Sequence, residues 1–287
     1  MEESVVQKFH DAYINADEKG LEKLWEESTP NTLIKFYPAK YESDGVNYLI
    51  ESLRNNTLWL SSPMFFNDPF DCVINVDYQL EAECISKQIL AKYFDENTIA
   101  CLLNSPNGKN AVANVAEYLK KENMGRHIYL EKSIYVSCFS ELHNLHSLRM
   151  WAHYAGSHSG ACIEYDFNTV HNISRFGCIP IQYTNNYNYL LDTSNISEDV
   201  ANYMKFFTKA KEWKHESEWR VAVKSEYLNM RGYNVSIAPP IAIYLGYKVS
   251  EKLKEDLMAI CKDKNIAVYQ MNLKPGSFEL YPELLKN

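Results

Sequence analysis

A chain of 287 residues in which 46% of the side chains are hydrophobic is long enough to bury a full core, and we expect a single domain over residues 1–287. The formal net charge of -8 argues against broad, charge-driven binding to nucleic acid, which requires a basic face. The seven cysteines are odd in number and contain no CxxC pair, so the sequence indicates reduced thiols and neither a disulfide framework nor a zinc ribbon.

The amino-terminal sequence MEESVVQKFHDAY is acidic and lacks the basic and apolar regions of a signal peptide. No apolar run in the sequence approaches the length of a membrane span. We therefore expect a cytoplasmic protein that has no membrane partner.

The first part of the chain alternates between helical and strand-like patterns. Apolar residues at helical spacing predict an amphipathic helical cover over residues 1–29 and a helix at 46–53. β-Branched and aromatic residues predict strands at 32–37 and 57–61. In the loop SPMFFNDPFD, residues 62–71, two prolines restrict the backbone, and amide and acidic side chains supply local hydrogen bonds. This loop is expected to be rigid.

The sequence pattern in the middle of the chain predicts a helical insertion, followed by a strand, a short helix and a strand that form the wall of a pocket. Residues 81–125 are rich in helical patterns, in two segments separated by NSPNGKN. A strand is predicted at 133–140, and the large apolar residues of MWAHYAG at 150–156 recur on one face of a short helix that ends at the glycine. The alternating segment ACIEYD at 161–166 predicts another strand.

Helical and strand-like patterns remain interleaved to the end of the chain. A helix is predicted at 200–213, a strand at 218–224 and a second helix at 251–262, with short strands around the last helix. We find no internal repeat and no low-complexity tract in the sequence. The pattern therefore predicts an α+β fold with mixed or antiparallel sheets and a helical insertion, in a single domain.

A charged segment, WKHESEWR, precedes and enters the strand predicted at 218–224. If Glu216, Glu218 and Arg220 lie on an extended segment, they point to one side, whereas Trp219 points to the other. Two carboxylates and a guanidinium group then converge. The alternative interpretation is an ion-paired sheet edge that carries no chemistry.

Motifs for binding metals and phosphates are weak. Four histidines lie between residues 143 and 158, but no HExxH segment occurs. A metal-dependent nuclease or hydrolase that uses Asp68, Asp71, His153 and Glu164 stays an alternative, although we expect no metal. No GxxxxGK[ST], GxGxxG or GxSxG segment occurs, which argues against phosphate-loop kinases, Rossmann dehydrogenases and nucleophile-elbow hydrolases.

Four blocks carry a resemblance to a known family. They are FNDPFD at 66–71, SCFS at 137–140, MWAHYAGSHSG at 150–160 and KEWKHESEWR at 211–220. Together they resemble the motifs of the bacterial domain-of-unknown-function family 2971, over most of the chain from about residue 33 to about residue 246. This family name implies no reaction.

A more distant resemblance supplies a candidate activity. Toxin-type ADP-ribosyltransferases place a basic residue or histidine on the first strand, Ser-x-Ser on a middle strand and Glu-x-Glu near a later strand. This chain has Lys35 or Tyr37, then SCFS, then Glu216-Ser217-Glu218, in that order. It departs from the scheme in two ways, because SCFS is one residue longer than Ser-x-Ser and the first strand has neither arginine nor histidine.

The resemblance implies roles for particular residues. Glu218 would stabilise the oxocarbenium-like cation formed when the nicotinamide glycosidic bond breaks, and Glu216 would orient the acceptor. Ser137 and Ser140 would lie at the mouth of their strand and complete the catalytic set. The side chains expected to bind the cofactor are Lys35, Tyr37, Phe66, Asn67, Trp151 and His153.

The resulting hypothesis is an ADP-ribosyltransferase-like enzyme that uses NAD as a substrate, acting as a bacterial toxin or phage-defence effector. Its partner is a small-molecule nucleotide, and the sequence does not identify the acceptor. The alternatives are the metal-dependent nuclease or hydrolase and a non-enzymatic binding or sensing domain.

Overall fold

The computed structural model describes residues 1–15, 17–41, 47–72, 77–174, 177–185, 205–226 and 231–285, and for residues 123–131 it describes the backbone alone. The α-helices in these ranges are α1 (Glu3–Ile14), α2 (Glu18–Ser28), α3 (Tyr48–Asn55), α4 (Tyr78–Leu90), α5 (Glu96–Asn104), α6 (Pro106–Ser133), α7 (Leu148–Tyr154), α8 (Phe167–His171) and α9 (Glu251–Lys264). None of the helices described is both long enough and apolar enough to cross a membrane.

Twelve strands occur in the same ranges. They are β1 (Thr32–Tyr37), β2 (Thr57–Ser61), β3 (Ile134–Glu141), β4 (Ala161–Asp166), β5 (Cys178–Pro180), β6 (Gln182–Thr184), β7 (Thr208–Ala210), β8 (Glu218–Lys224), β9 (Gly232–Ser236), β10 (Ala242–Leu245), β11 (Ala267–Leu273) and β12 (Leu280–Leu284). Ten of these strands form one sheet in the order β12-β11-β10-β4-β1-β3-β2-β9, with β8 paired to β3 and β5 paired to β8, while β6 and β7 form a separate two-stranded sheet. The ten-stranded sheet is mixed, since β10 and β11 are parallel, and the α+β class is confirmed.

Strand β3 is the branch point of the sheet. Along one edge it pairs with β8 over its length, from Ile134↔Lys224 to Ser140↔Glu218. Its other edge is shared by two strands, because β1 pairs at Leu33↔Glu141 and Ile34↔Ser140 while β2 pairs at Ser61↔Val136. The three residues 137–139 therefore lie in a gap between β1 and β2.

Helices cover both faces of the sheet. On one face, apolar residues of α1, α2, α3 and α9 pack against Leu33, Ile163 and Trp219. On the other face, Trp151 of α7 packs against Ile34 and Cys162. Side chains alternate between these two cores along β1 and β4, as period-two strands require. Both faces are therefore buried near the centre of the sheet.

Most predicted elements are present, with two corrections. The helix predicted at 200–213 is wrong from residue 205 onward, where the chain forms a 3-10 helix (Lys205–Phe207), strand β7 and a second 3-10 helix (Lys211–Glu216), and residues 200–204 lie outside the described residues. Parallel pairing of β7 with β6 overrides the local helical pattern. The helix-rich segment predicted at 81–125 forms three helices from Tyr78 to Ser133, and α6 begins at Pro106 inside the predicted NSPNGKN separator.

The loop SPMFFNDPFD has the local hydrogen bonds that its sequence predicts. It opens with a 3-10 helix (Pro63–Phe65), and Oδ1 of Asp68 accepts a hydrogen bond from the Phe70 amide at 2.9 Å. The Asp71 amide donates to the Asp68 carbonyl at 3.2 Å. Asp68 is buried, so its carboxylate acts within the loop.

We predict that Asp68→Ala lowers the free energy of unfolding by about 1–3 kcal/mol, because the hydrogen bond from the Phe70 amide to the buried Asp68 carboxylate is lost. The matched variant Asp68→Asn keeps the acceptor oxygen and is expected to lose less. Chemical denaturation of the three proteins measures the difference. Equal stability of Asp68→Ala and the wild type would contradict a structural role for this carboxylate.

Candidate functional site

A cavity of about 180 Å³ lies in the gap between β1 and β2 beside β3. Residues from five parts of the chain line it: Ile34, Lys35 and Phe36; Phe66, Asn67 and Asp71; Cys138, Phe139 and Ser140; Met150 and Tyr154; and Lys209, Glu216 and Glu218. The blocks singled out in the sequence therefore meet here. Helix α7 lies against the same cavity as the SCFS segment.

Glu216 and Glu218 converge by a route that an extended segment does not provide. Glu216 ends the 3-10 helix Lys211–Glu216, Ser217 has a left-handed backbone with φ 43°, and Glu218 begins β8. Glu216 therefore does not lie on one extended segment with Glu218 and Arg220. Lys209 joins the two carboxylates, with Nζ 2.5 Å from Oε2 of Glu216 and 3.0 Å from Oε2 of Glu218.

Arg220 is completely buried behind the cavity and holds two acidic groups. Its Nη1 and Nη2 donate to the two carboxylate oxygens of Asp71 at 2.8 and 2.6 Å, and its Nε donates to Oε1 of Glu218 at 2.5 Å. Nη1 also donates to the Phe206 carbonyl at 2.8 Å. The guanidinium carbon lies 5.6 Å from the centroid of the Phe66 ring. The loop at 62–71 is thereby joined to β8.

The buried ion pairs form one cluster with more acidic than basic groups. It contains the acidic residues Asp71, Glu216 and Glu218 and the basic residues Lys209 and Arg220. Burial, reinforced by the Glu218 charge, raises the pKa of Glu216 to about 7. Burial also opposes ionisation of Glu218, but Arg220 and Lys209 outweigh it and hold the pKa of Glu218 below its usual range. Neighbouring carboxylates therefore favour different protonation states near neutral pH.

Three polar side chains hold Glu216 in place. The Tyr154 hydroxyl donates to Oε1 of Glu216, and the Ser140 hydroxyl donates to the Glu216 main-chain carbonyl. Asn144 donates from Nδ2 to the same carbonyl at 2.7 Å and to the Ser140 hydroxyl at 2.7 Å. Burial, followed by the Glu216 charge, raises the pKa of Tyr154, so its hydroxyl stays a donor. Ser140 thus anchors the turn that carries Glu216.

Lys35 is a cation placed at the cavity on the first strand. Its Nζ donates to the Cys138 carbonyl at 3.1 Å and lies 5.4 Å from the centroid of the Phe139 ring. Burial lowers the pKa of Lys35. Of the residues predicted to bind the cofactor, Lys35, Phe66 and Asn67 line the cavity.

Two of the predicted residues face the core instead. Ser137 pairs with Val221, one residue out of phase with the Cys138↔Arg220 and Ser140↔Glu218 pairs, so its side chain lies on the opposite face of the sheet. Its hydroxyl is buried without a hydrogen-bond partner among the described residues. Tyr37 is buried beside Tyr165, with their hydroxyl oxygens 3.5 Å apart. Placing Ser137 and Tyr37 in the site is therefore wrong.

The predicted binding roles of two residues of α7 are also wrong. Trp151 is 0% exposed, and its Nε1 donates to the Leu145 carbonyl at 2.7 Å, so its ring is not available to stack on a ligand. His153 is exposed to solvent and does not line the cavity. The residues of α7 that do line the cavity are Met150 and Tyr154, four positions apart on one helical face.

The four residues of the metal alternative share no partner: three have separate hydrogen-bond partners and the fourth is exposed. Asp68 accepts from the Phe70 amide, Asp71 binds Arg220, Glu164 accepts from the Tyr244 hydroxyl at 2.6 Å, and His153 is exposed. Within the described ranges, no three histidine, cysteine, aspartate or glutamate side chains are grouped closely enough to hold a metal ion. This set therefore does not form the proposed metal site.

Sequence reasoning missed Lys209, Tyr154 and Asn144. Lys209 lay in a segment predicted to be helical, and only its position seven residues before Glu216 linked it to the charged block. Tyr154 offered a clearer signal, because it shares a helical face with Met150 inside a motif block.

Comparisons with known proteins agree with part of the sequence analysis. Residues 150–221 match the model of a family described as "Protein of unknown function (DUF2971)", which confirms the resemblance to that family. The matched stretch contains Tyr154, Lys209, Glu216, Glu218 and Arg220. No curated protein and no solved structure matches the chain, and the resemblance to ADP-ribosyltransferases stays a prediction.

We predict that Arg220→Leu lowers the free energy of unfolding by about 3–5 kcal/mol, because it leaves Asp71 and Glu218 buried without their guanidinium partner. Arg54→Leu is the matched control, since Arg54 pairs with Glu51 on an exposed helical face, where loss of the pair costs no more than about 0.5 kcal/mol. Urea denaturation compares the two. Similar losses in both variants would show that the buried network is not coupled to folding.

We also predict that Glu216 makes stability fall as pH rises. Its pKa is about 7 in the folded protein against an ordinary value of 4.5, so between these values the folded state binds the additional proton. The unfolding free energy therefore decreases from about pH 4.5 to about pH 7 and then levels off. Glu218, whose pKa is lowered, contributes the opposite dependence at more acidic pH.

The measurement is urea denaturation of the wild type and of Glu216→Gln at several pH values. The difference in stability between them should shift in favour of the variant as pH rises, because glutamine does not ionise. Parallel curves across this range would contradict the raised pKa of Glu216.

Proposed function

We propose that the chain cleaves the nicotinamide glycosidic bond of NAD at this cavity, as an ADP-ribosyltransferase-like enzyme. The observation that carries the proposal is the pair Glu216 and Glu218, which line one cavity while their surroundings shift their pKa values in opposite directions. Two carboxylates whose pKa values are separated in this way can serve as an acid–base group and a fixed anion.

The chemical step requires both groups. The bond between C1′ of the ribose and the nicotinamide nitrogen breaks, its electron pair stays with the ring, and neutral nicotinamide leaves an oxocarbenium-like ribose. Glu218 stays ionised near this cation, although Arg220 and Lys209 offset part of its charge. An acceptor hydroxyl or water then bonds to C1′, and its proton passes to ionised Glu216.

The order of the elements also supports the proposal. Lys35 lies on the first strand and Ser140 on the central strand β3, which is paired to both β1 and β8. Glu216 lies two residues before β8, and Glu218 begins it. The resemblance to ADP-ribosyltransferases implies this order. Lys35 provides the cation of the first strand, and the half-buried Phe66 ring provides a surface for an aromatic ring.

The biological setting belongs to the same proposal. A cytoplasmic protein that consumes NAD or modifies a cellular acceptor would act as a bacterial toxin or phage-defence effector. The acceptor decides between NAD hydrolysis and transfer to a macromolecule.

The first test is release of nicotinamide from NAD, followed by chromatography. We predict that Glu216→Gln lowers kcat by about a hundredfold, as expected when a general base is removed. The wild-type rate should rise with pH through about 7, because Glu216 must be ionised to accept the proton, and the variant should lose this rise. Glu212→Gln, an exposed carboxylate on the same 3-10 helix, should retain full activity.

The wild type and Glu218→Gln provide the decisive outcomes. Glu218→Gln should also lose about a hundredfold in rate, because the anion that stabilises the cation is removed. A melting curve must show that this variant is folded, since Arg220 loses one of its buried carboxylate partners. Wild-type protein that neither releases nicotinamide nor gains thermal stability with NAD would overturn the proposal and favour a binding or sensing domain.

A further inference from the structure

The cavity is too small to enclose the whole substrate that the proposed function requires. Its volume of about 180 Å³ lies below the range of roughly 300–1,000 Å³ that is usual for pockets enclosing a small molecule. The proposed function places the glycosidic bond beside Glu216 and Glu218, and therefore places the nicotinamide riboside end in the cavity. With the riboside end there, the adenosine phosphate end lies outside this cavity, on the surface around it.

The loop at 62–71 continues from the cavity to that surface. Phe66 and Asn67 line the cavity, whereas the preceding Phe65 is 56% exposed. The guanidinium carbon of Arg231 lies 5.5 Å from the centroid of the Phe65 ring. Arg231 is itself exposed, so both side chains present part of their surface to solvent.

Backbone hydrogen bonds link Phe65 and Arg231 to the strands beside the cavity. The Ser62 amide donates to the Arg231 carbonyl at 3.0 Å, and the next residue, Gly232, pairs with Ser61 of β2. Ser61 also pairs with Val136 of β3, two residues before the cavity-lining Cys138. Paired strands therefore connect Arg231 to the cavity.

An exposed aromatic ring beside an arginine suits a phosphorylated nucleoside. A purine base stacks on the face of an aromatic side chain, and a guanidinium group binds phosphate through two parallel hydrogen bonds. We propose that Phe65 and Arg231 form the subsite for the adenosine 5′-phosphate half of the dinucleotide. This inference rests on the proposed function and adds the residues that select a dinucleotide over a shorter substrate.

The experiment compares NAD with nicotinamide mononucleotide, which has the same glycosidic bond but no adenosine phosphate. Phe65→Ser and Arg231→Gln should each raise KM for NAD about tenfold, with kcat unchanged, because the subsite contributes binding and no chemistry. Both variants should cleave nicotinamide mononucleotide with wild-type constants. The matched controls are Phe278→Ser, which changes a phenylalanine that is 96% exposed, and Arg54→Gln, which changes an arginine on an exposed helix.

A second measurement separates this inference from the proposed function. Titration calorimetry with adenosine 5′-monophosphate should show binding to the wild type and about tenfold weaker binding to Phe65→Ser and Arg231→Gln. If the wild-type protein binds adenosine 5′-monophosphate but cleaves neither NAD nor nicotinamide mononucleotide, the proposed function is refuted and the subsite is retained. Cleavage of NAD with unchanged KM in both variants, or an equal loss on both substrates, would refute the subsite and leave the proposed function.

Discussion

The buried guanidinium group of Arg220 is the interaction on which the arrangement of the site depends. It is 0% exposed and holds Asp71 of the loop at 62–71 and Glu218 of β8 at the same time. Burying a charge costs free energy unless its hydrogen bonds are satisfied, and Arg220 satisfies them with two carboxylates and the Phe206 carbonyl. A single side chain thus connects the loop at 62–71 to β8, which line the cavity from two parts of the chain.

The network contains one more acidic group than basic groups, and this excess affects the protonation of Glu216. With Asp71 and Glu218 bound to Arg220, Lys209 is shared among three carboxylates, and Glu216 has the least compensation. Burial, followed by the Glu218 charge, raises the pKa of Glu216 to about 7, and Lys209 offsets only part of this rise. The stability of the fold and the protonation of Glu216 therefore depend on the same charges, so a substitution that removes one cation alters both.

Local pattern predicted the elements well but predicted the site only in part. Period-two alternation identified β3, β4 and β8, and the two prolines of SPMFFNDPFD identified a loop in which Asp68 accepts a hydrogen bond from the loop backbone. The convergence of Glu216 with Glu218 depends on the left-handed backbone of Ser217, which no composition rule assigns to serine. Likewise, Ser137 and Ser140 look equivalent in the sequence, and only the strand register separates their faces.

The gap along β3 explains why a cavity exists at this place in a well-packed sheet. Two strands share one edge of β3 without meeting, so the carbonyl of Cys138 faces the gap and needs a donor. Nζ of Lys35 supplies it, which places a cation inside the gap without closing it. Continuous pairing of β1 with β3 would satisfy the same carbonyl and leave no room for a ligand. The interrupted pairing therefore creates both the space of the site and the reason for a lysine on its first strand.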